Sequence, residues 1–160
     1  MENRKEIVVE MKGVVKSFGN NHVLNNMDLK LHKGENLVIL GKSGSGKSVL
    51  IKCLVGLIDA DEGDLIVFNK KVNQIGIDEL NELRKKIGFL FQSGALYDSM
   101  TVGENLEFHL RQKKDMQQSE KDGLVKETLA GVGLEDTIDK MPSELSGGMR
   151  KRLGLARTLI

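Results

Sequence analysis

The first third of the chain alternates between apolar and polar positions in the pattern of half-buried β-strands. Residues Ile7 to Phe18 alternate loosely and are rich in valine, which predicts a strand that ends in a turn at Gly19. Val23 to Leu31 predicts a second strand, and Leu65 to Phe68 predicts a third that ends in a turn. The first 70 or so residues are therefore expected to be rich in β-structure.

Two further runs are apolar without alternation, and two helical patterns lie between them. Leu37 to Leu40 and Ile87 to Phe91 are continuous apolar segments, the pattern of strands that are buried on both faces. Between them, Lys47 to Leu57 and Ile77 to Lys86 have the spacing of helices. Buried strands that alternate with helices predict an α/β fold.

The second half of the chain has helical rather than strand-like spacing. Helices are predicted from Thr101 to Leu110 and from about Ser119 to Ala130. Pro142, the only proline, interrupts this region, and Ser146 is predicted to be the N-cap of a last helix. The α/β fold is therefore expected to carry a helical insert between about Ser93 and Pro142.

Composition narrows the class of protein. The 160 residues are 39% hydrophobic and 29% charged, which is typical of a globular protein, and the net charge of +1 gives no reason to expect nucleic acid as a partner. No apolar run approaches the roughly 20 residues that span a bilayer, so a role at a membrane needs a membrane-embedded partner. Cys53, the single cysteine, is expected to be a buried structural thiol in a reducing cytoplasm.

A glycine-rich segment follows the first continuous apolar run and opens a predicted helix. It matches the phosphate-binding pattern G-x-x-x-x-G-K-[ST], in which glycines let backbone amides turn towards phosphate oxygens. Lys47 would place an ammonium against the β- and γ-phosphates, and Ser48 would offer a hydroxyl to Mg²⁺. The sequence therefore predicts that ATP and Mg²⁺ bind at Gly41, Lys42, Ser43, Gly44, Ser45, Gly46, Lys47 and Ser48.

A second motif identifies a family. The run from Leu145 to Arg152, Leu-Ser-Gly-Gly-Met-Arg-Lys-Arg, resembles the signature of ATP-binding-cassette (ABC) ATPases. The order of landmarks agrees, since an aromatic residue, Phe18, precedes the loop and a glutamine, Gln92, follows it before the signature. The resemblance implies a P-loop NTPase fold with an N-terminal antiparallel β subdomain and an α-helical subdomain.

The same resemblance assigns roles to single residues. Phe18 resembles the aromatic that stacks on adenine, although it could also close a strand against the core. Gln92 resembles the residue that reaches Mg²⁺ and the attacking water, so it joins Lys47 as a candidate catalytic residue, although a plain strand-end amide is the alternative. The signature meets the ATP held by a second copy in a head-to-tail dimer, through Ser146, Gly147 and Gly148.

The fifth signature position, Met149, is usually glutamine, and this difference narrows the subfamily. Together with the run Phe91 to Val102, it resembles the ATPases of mammalian-cell-entry-type lipid transporters, which move phospholipids or related lipids across the bacterial envelope. The resemblance implies a peripheral location at the cytoplasmic face of the bacterial inner membrane, on integral membrane permease subunits. Tyr97 and Met100 are the candidate residues that contact the permease.

Some family motifs do not occur in the sequence. The Walker B strand with its Asp and catalytic Glu, and the switch histidine, would follow the signature. The chain is therefore interpreted as a partial ABC ATPase (core and β subdomain 1–92, helical subdomain 93–145, signature helix 146–160) with an incomplete core sheet. It is expected to bind ATP without hydrolysing it, and to expose residues 37–40 and 87–91. The alternatives are a cassette for another substrate, a ribosome-associated cassette, and a genuine short ATP-binding chain.

Overall fold

The chain folds into two compact units, residues 1–87 and residues 88–160. The structure, a computed structural model, describes residues 5–92, 94–111, 113 and 115–160. Each unit has its own cluster of buried apolar side chains. Ser93, the predicted start of the helical insert, lies outside the described residues.

The first unit is built on a four-stranded antiparallel sheet. Its strands are β1 (Ile7–Phe18), β2 (Asn21–His32), β3 (Glu62–Val67) and β4 (Lys70–Lys71), in the order β2-β1-β3-β4. The three strands predicted from alternating residues are confirmed, and β1 lies between β2 and β3. Gly63 is the second residue of β3, and an added Cβ there would lie 2.5 Å from the Gly13 carbonyl oxygen, so only glycine allows the strands to come this close.

The alternation of residues along these strands explains which face of the sheet is buried. Side chains of β1, β2 and β3 on one face of the sheet pack against two residues of the first helix. This core includes Met11, Val14, Leu24, Leu65, Val67, Leu50 and Cys53. The prediction that the single thiol is buried is confirmed.

Two helices complete the first unit: α1 (Lys47–Leu54) and α2 (Ile77–Arg84). Both end earlier than the spacing predicts. Helix α1 ends because Gly56 takes a left-handed conformation (φ +65°) and the Leu57 amide turns back to the Lys52 carbonyl at 2.9 Å. Arg84 then ties α2 to this end, donating to the Gly56 carbonyl at 2.6 Å.

The two runs predicted to be buried strands are not strands in the described structure. No described strand pairs with residues 35–40 or 87–91, and a run without a partner ladder cannot satisfy its backbone groups as a sheet. Apolar side chains are exposed in both runs, among them Val38 at 75% and Leu40 at 87%, while Ile39 and Ile87 are partly buried against the core of the first unit. The expected exposure of these runs is therefore confirmed, while their burial as strands is wrong for this chain.

The second unit is helical, with α3 (Val102–Leu110), α4 (Gln118–Gly131) and α5 (Gly147–Leu159). Short 3-10 turns at Glu135–Thr137 and Pro142–Glu144 connect α4 to α5. Thr101 caps α3 in a reciprocal capping box with Glu104, since each side chain accepts from the other residue's amide. The predicted helices are confirmed. Within the described ranges, no helix is long and apolar enough to cross a membrane.

Candidate functional site

The glycine-rich loop lies against the β1–β2 hairpin of the first unit. Gly46 caps α1 in a left-handed conformation (φ +88°), and a Cβ at this position would lie 2.8 Å from the Val23 carbonyl oxygen. The position therefore requires glycine for its conformation and for its contact with β2. Gly44 is also left-handed (φ +80°), so two of three successive loop residues have a conformation that favours glycine.

The ammonium of Lys47 turns back into this loop. Its Nζ donates to the Gly41 and Lys42 carbonyl oxygens, both at 2.7 Å, and lies 3.4 Å from the Ser45 hydroxyl oxygen. These oxygens are weak, neutral partners for a full positive charge, so a phosphate that entered the loop would form a stronger, charge-assisted pair. The structure thus brings together Gly41, Lys42, Ser45 and Lys47.

Backbone donors surround the same position. Among the described residues, no carbonyl accepts the amides of Gly44, Gly46, Lys47 and Ser48. Amides at a helix start that point into a concave loop form an anion site, and the positive end of α1 adds to it. The donor set therefore fits the phosphates of a nucleotide.

Magnesium would have Ser48 as its protein ligand here. Ser48 is exposed in the first turn of α1, and the described residues contain no cluster of three or more metal-binding side chains. Mg²⁺ commonly binds through one protein oxygen together with substrate phosphates and water. A single hydroxyl beside a phosphate site fits that pattern.

Phe18 stands at the end of β1, close in the chain to the hairpin that contacts Gly46. Its side chain is 49% exposed, which argues against the alternative role of closing the core. The Lys16 ammonium lies 5.3 Å from the centre of the ring, and Asp61 holds this lysine at 2.7 Å. An exposed ring at this place offers a face on which a base can stack.

Gln92 belongs to the second unit. It lies in a turn that is closed by a hydrogen bond of 2.9 Å from the Gly94 amide to the Phe91 carbonyl, and its side chain is exposed. It is not at the end of an assigned strand, in contrast to the prediction. Its proposed contact with Mg²⁺ and water stays a prediction.

The signature forms the start of α5, as predicted. The Ser146 hydroxyl accepts from the Met149 amide at 3.3 Å, so it acts as the N-cap. Gly147 and Gly148 are exposed in the first helical turn, and an added Cβ at Gly147 would meet nothing within 4 Å. A capped helix with an open, glycine-lined first turn leaves its amides accessible to an anion.

The sequence analysis did not identify Asn105, a buried polar side chain on α3. Its Oδ1 accepts from the Tyr97 amide at 2.8 Å, and its Nδ2 lies 3.0 Å from the Tyr97 and Met100 carbonyls. The side chain is fully buried among apolar residues. A polar residue on the apolar face of α3, between Val102 and Leu106, is the pattern by which it could have been found.

Fold and site together define a class. An antiparallel sheet carries a phosphate-binding loop that opens a helix, and a separate helical unit begins its last helix with Ser-Gly-Gly. These features define a P-loop nucleotide-binding domain of the cassette type. The chain belongs to the ABC transporter family, whose family model matches residues 24–160.

Individual relatives agree with this assignment. "Protein TRIGALACTOSYLDIACYLGLYCEROL 3, chloroplastic" of Arabidopsis thaliana is 42% identical over all of this chain and 46% of its own length. "Probable ribonucleotide transport ATP-binding protein mkl" of Mycobacterium leprae is 42% identical over 96% of this chain and 44% of its own length. The chain thus spans about half the length of these curated relatives.

A solved structure supports the fold directly. The dimeric, post-hydrolysis state of the ATP-binding cassette MJ0796, bound to ADP and Pi, is 35% identical with a TM-score of 0.84, over 94% of this chain and 68% of that one. The predicted P-loop NTPase fold and the predicted family are therefore confirmed. The relatives have names that point to different transported substrates, so the family is shown at the level of an ABC ATPase.

Proposed function

We propose that this chain binds ATP with Mg²⁺ as the nucleotide-binding part of an ABC transporter that moves lipid, and that the complete subunit hydrolyses the ATP. The observation that carries the proposal is the position of the Lys47 ammonium inside the glycine loop, beside amides at the start of α1 that donate to no carbonyl of the described residues. Both features favour a bound polyphosphate.

The chain's residues have separate tasks in binding. Amides of the loop and of the first turn of α1 hold the phosphates, and Lys47 exchanges its neutral oxygen partners for the β- and γ-phosphates. Ser48 would hold Mg²⁺, and the bound metal would supply positive charge against the charge that develops on the phosphates. Phe18, exposed at the end of β1, stacks on the base. By the family resemblance, Gln92 would contact the metal and position the attacking water.

A second copy completes the site. The start of α5 is open and exposed at Ser146, Gly147 and Gly148, and an anion can approach its amides from outside the unit. We propose that it contacts the γ-phosphate of ATP in the partner's loop, in a head-to-tail dimer. The likeness to a cassette that was solved as a dimer supports this arrangement.

Lipid is the proposed substrate class. It is supported by the Met149-containing signature, by the run from Phe91 to Val102, and by the name of the Arabidopsis relative, which refers to a galactolipid. The name of the mycobacterial relative favours ribonucleotide as the alternative. The subunit would work at the cytoplasmic face of a bacterial inner membrane, and it would contact its integral membrane permease through the exposed Tyr97 and the neighbouring Met100.

Nucleotide binding is tested by titrating the wild-type chain, Lys47→Ala and Lys52→Ala with fluorescent ATP in the presence of Mg²⁺. Lys52 is a matched control, because it lies on the same helix in its last turn. Loss of one charge-assisted contact should weaken binding by about 10- to 100-fold in Lys47→Ala, with little change in Lys52→Ala. Equal affinities for all three proteins would refute the proposal.

The substrate is tested separately. The complete transporter would be purified in detergent, and the small molecules that it retains would be identified by mass spectrometry. Enriched phospholipid that is released on addition of ATP and Mg²⁺ supports the lipid assignment. Enriched ribonucleoside without lipid would favour the alternative.

A further inference from the structure

The backbone around Gln92 has an uncommon conformation. Gly94 and Ala95 are both left-handed, with φ of +76° and +49°. Alanine disfavours this conformation because its Cβ approaches the following carbonyl oxygen. The turn of residues 91, 92, 94 and 95 is here named the Gln92 turn. Its two successive left-handed residues are strained, so contacts with the surrounding structure must stabilise its conformation.

Arg157 on α5 provides that support. Its Nη1 donates to the Ala95 carbonyl and lies 3.4 Å from the Gly94 carbonyl oxygen. Its guanidinium carbon lies 5.1 Å from the centre of the Tyr97 ring, which follows the turn. One side chain thus contacts two consecutive carbonyls and the next aromatic side chain.

The backbone of α5 is also fitted to the Gln92 turn. Gly154 is buried one turn before Arg157, and a Cβ there would lie 2.9 Å from the Gly94 Cα and 3.0 Å from the Leu90 Cδ1. Any larger residue would push the turn away from the helix. The small residue and the arginine therefore act on the same segment from adjacent turns of one helix.

A third contact orients the arginine. Its Nη2 lies 3.1 Å from the Nε2 of His109 on α3. Arginine only donates, so this histidine nitrogen accepts, which requires a neutral imidazole with its proton on Nδ1. Desolvation of the imidazole, and next the positive charge of Arg157, lower the pKa of His109 below its usual value. Both effects keep the ring in the accepting state.

We propose that Arg157 is a positioning residue for Gln92. It has no proposed contact with nucleotide and acts through the carbonyls of Gly94 and Ala95, which it holds at a fixed place on the helix that begins with the signature. The inference rests on the proposed role of Gln92 beside Mg²⁺ and water. It assigns the link between the signature helix and the Gln92 turn to one guanidinium.

The first test measures the Gln92 turn itself, without nucleotide. Amide exchange of Gly94, whose amide bonds to the Phe91 carbonyl, would be followed in the wild-type chain, Arg157→Met, Arg157→Lys and Lys151→Met. Protection should fall about tenfold or more in Arg157→Met, less in Arg157→Lys, and not at all in the exposed control Lys151→Met. Unchanged protection in Arg157→Met would overturn the proposal; if this variant does not fold, Arg157→Lys decides in the same way.

Acid provides a second readout that a merely structural arginine would not give. Protonated His109 cannot accept from Arg157. Among the described residues, Arg157 on α5 is the charged group that shifts the pKa of His109, and the uncharged Phe108 ring lies beside the imidazole on α3. Protection of Gly94 relative to its intrinsic exchange should therefore fall between pH 7 and pH 5. In His109→Gln, whose amide oxygen can still accept, the fall should disappear. An identical pH profile in both proteins would overturn the role of His109.

The last arm uses the complete transporter. Arg157→Lys should lower kcat for ATP hydrolysis several-fold and leave KM for ATP within about twofold, because the nucleotide is held by another part of the chain. Faster amide exchange of Gly94 in Arg157→Lys, together with an unchanged kcat, would overturn the positioning role. A failure of the proposed function would give a different result, because Lys47→Ala would then bind nucleotide as tightly as the wild-type chain.

Discussion

The two candidate elements of this chain, the phosphate loop in the first unit and the Gln92 turn in the second, are held in opposite ways. The loop is exposed, and among the described residues its lysine has only neutral loop oxygens as partners, all within six residues of it. The segment that follows Gln92 is held by two side chains that lie on other elements, Asn105 on α3 and Arg157 on α5. The difference indicates that the loop can rearrange around a ligand, whereas the turn is placed before any ligand binds.

The two units carry native probes that allow this comparison to be tested. Cys53, the single cysteine, lies in the core of the first unit, and burial raises the pKa of its thiol, so its alkylation reports opening of that unit. Tyr97 is the only tyrosine and the chain has no tryptophan, so intrinsic fluorescence reports on the second unit.

The largest expected effect is that of Asn105→Ala. The substitution removes four short contacts and leaves the Tyr97 amide and several carbonyls of the segment 97–101 without their buried partner. We expect the free energy of unfolding of the second unit to fall by about 3 kcal/mol. Tyr97 fluorescence during unfolding in urea measures this loss.

Glu127→Ala, an exposed change on α4, is the control for Asn105→Ala and should change stability by less than about 0.5 kcal/mol. Alkylation of Cys53 should be unaffected by either substitution. A loss in Asn105→Ala no greater than in the control would show that the segment after Gln92 does not depend on this amide.

Gly46→Ala should have the next largest effect, and it acts on the other unit. The residue is left-handed at φ +88°, and the new Cβ would approach the Val23 carbonyl to 2.8 Å. We expect the free energy of unfolding of the first unit to fall by about 2 kcal/mol, which would be measured as faster alkylation of Cys53. Nucleotide binding should also be lost.

Gly76→Ala is the matched control, because Gly76 has an extended conformation (φ −70°) with nothing within 4 Å of an added Cβ. It should leave alkylation and nucleotide binding close to those of the wild type. If Gly46→Ala behaved like Gly76→Ala, the close packing of the loop on β2 would not matter for the site.

These residues also show what the sequence could predict. The loop, the signature cap at Ser146 and the alternating strands are local patterns, because each depends on residues close together in the chain. The buried strands at residues 37–40 and 87–91 were predicted wrongly, since a strand needs a partner ladder that local hydrophobicity does not reveal.

The support of the Gln92 turn could not be predicted for a related reason. Asn105 and Arg157 act on residues that lie 8 and about 60 positions away, and their contacts exist only after the helices pack. A buried asparagine and an arginine near the end of a helix have no spacing motif. Tertiary structure, rather than sequence pattern, brings them to the segment that follows Gln92.

Ser146→Ala should reduce stability less than Asn105→Ala or Gly46→Ala. It removes the hydroxyl that accepts from the Met149 amide at 3.3 Å, and loss of an N-cap costs about 1 kcal/mol. Tyr97 fluorescence in urea measures the loss in the second unit. Ser143→Ala, an exposed serine in the preceding 3-10 turn, is the control. Equal stabilities would mean that the cap contributes nothing to α5.

The smallest expected effect is the pH dependence that His109 contributes. Because the pKa of His109 is lowered in the folded chain, the unfolded chain binds a proton first as the pH falls below about 6.5. Stability of the second unit should therefore decrease as the pH falls from 7 towards 5. His109→Gln should show a smaller decrease, and a steeper one would contradict the assigned direction.

The central claim, that a nucleotide's phosphates occupy the loop at the start of α1, is tested most directly by amide NMR of the 160-residue chain during addition of ATP with Mg²⁺. The amide resonances of Gly44, Gly46, Lys47 and Ser48 should shift the most, and those of Lys70 and Lys71 on β4 should remain in place. Shifts that spare the loop, or the same loop shifts in Lys47→Ala at the same ATP concentration, would contradict the claim.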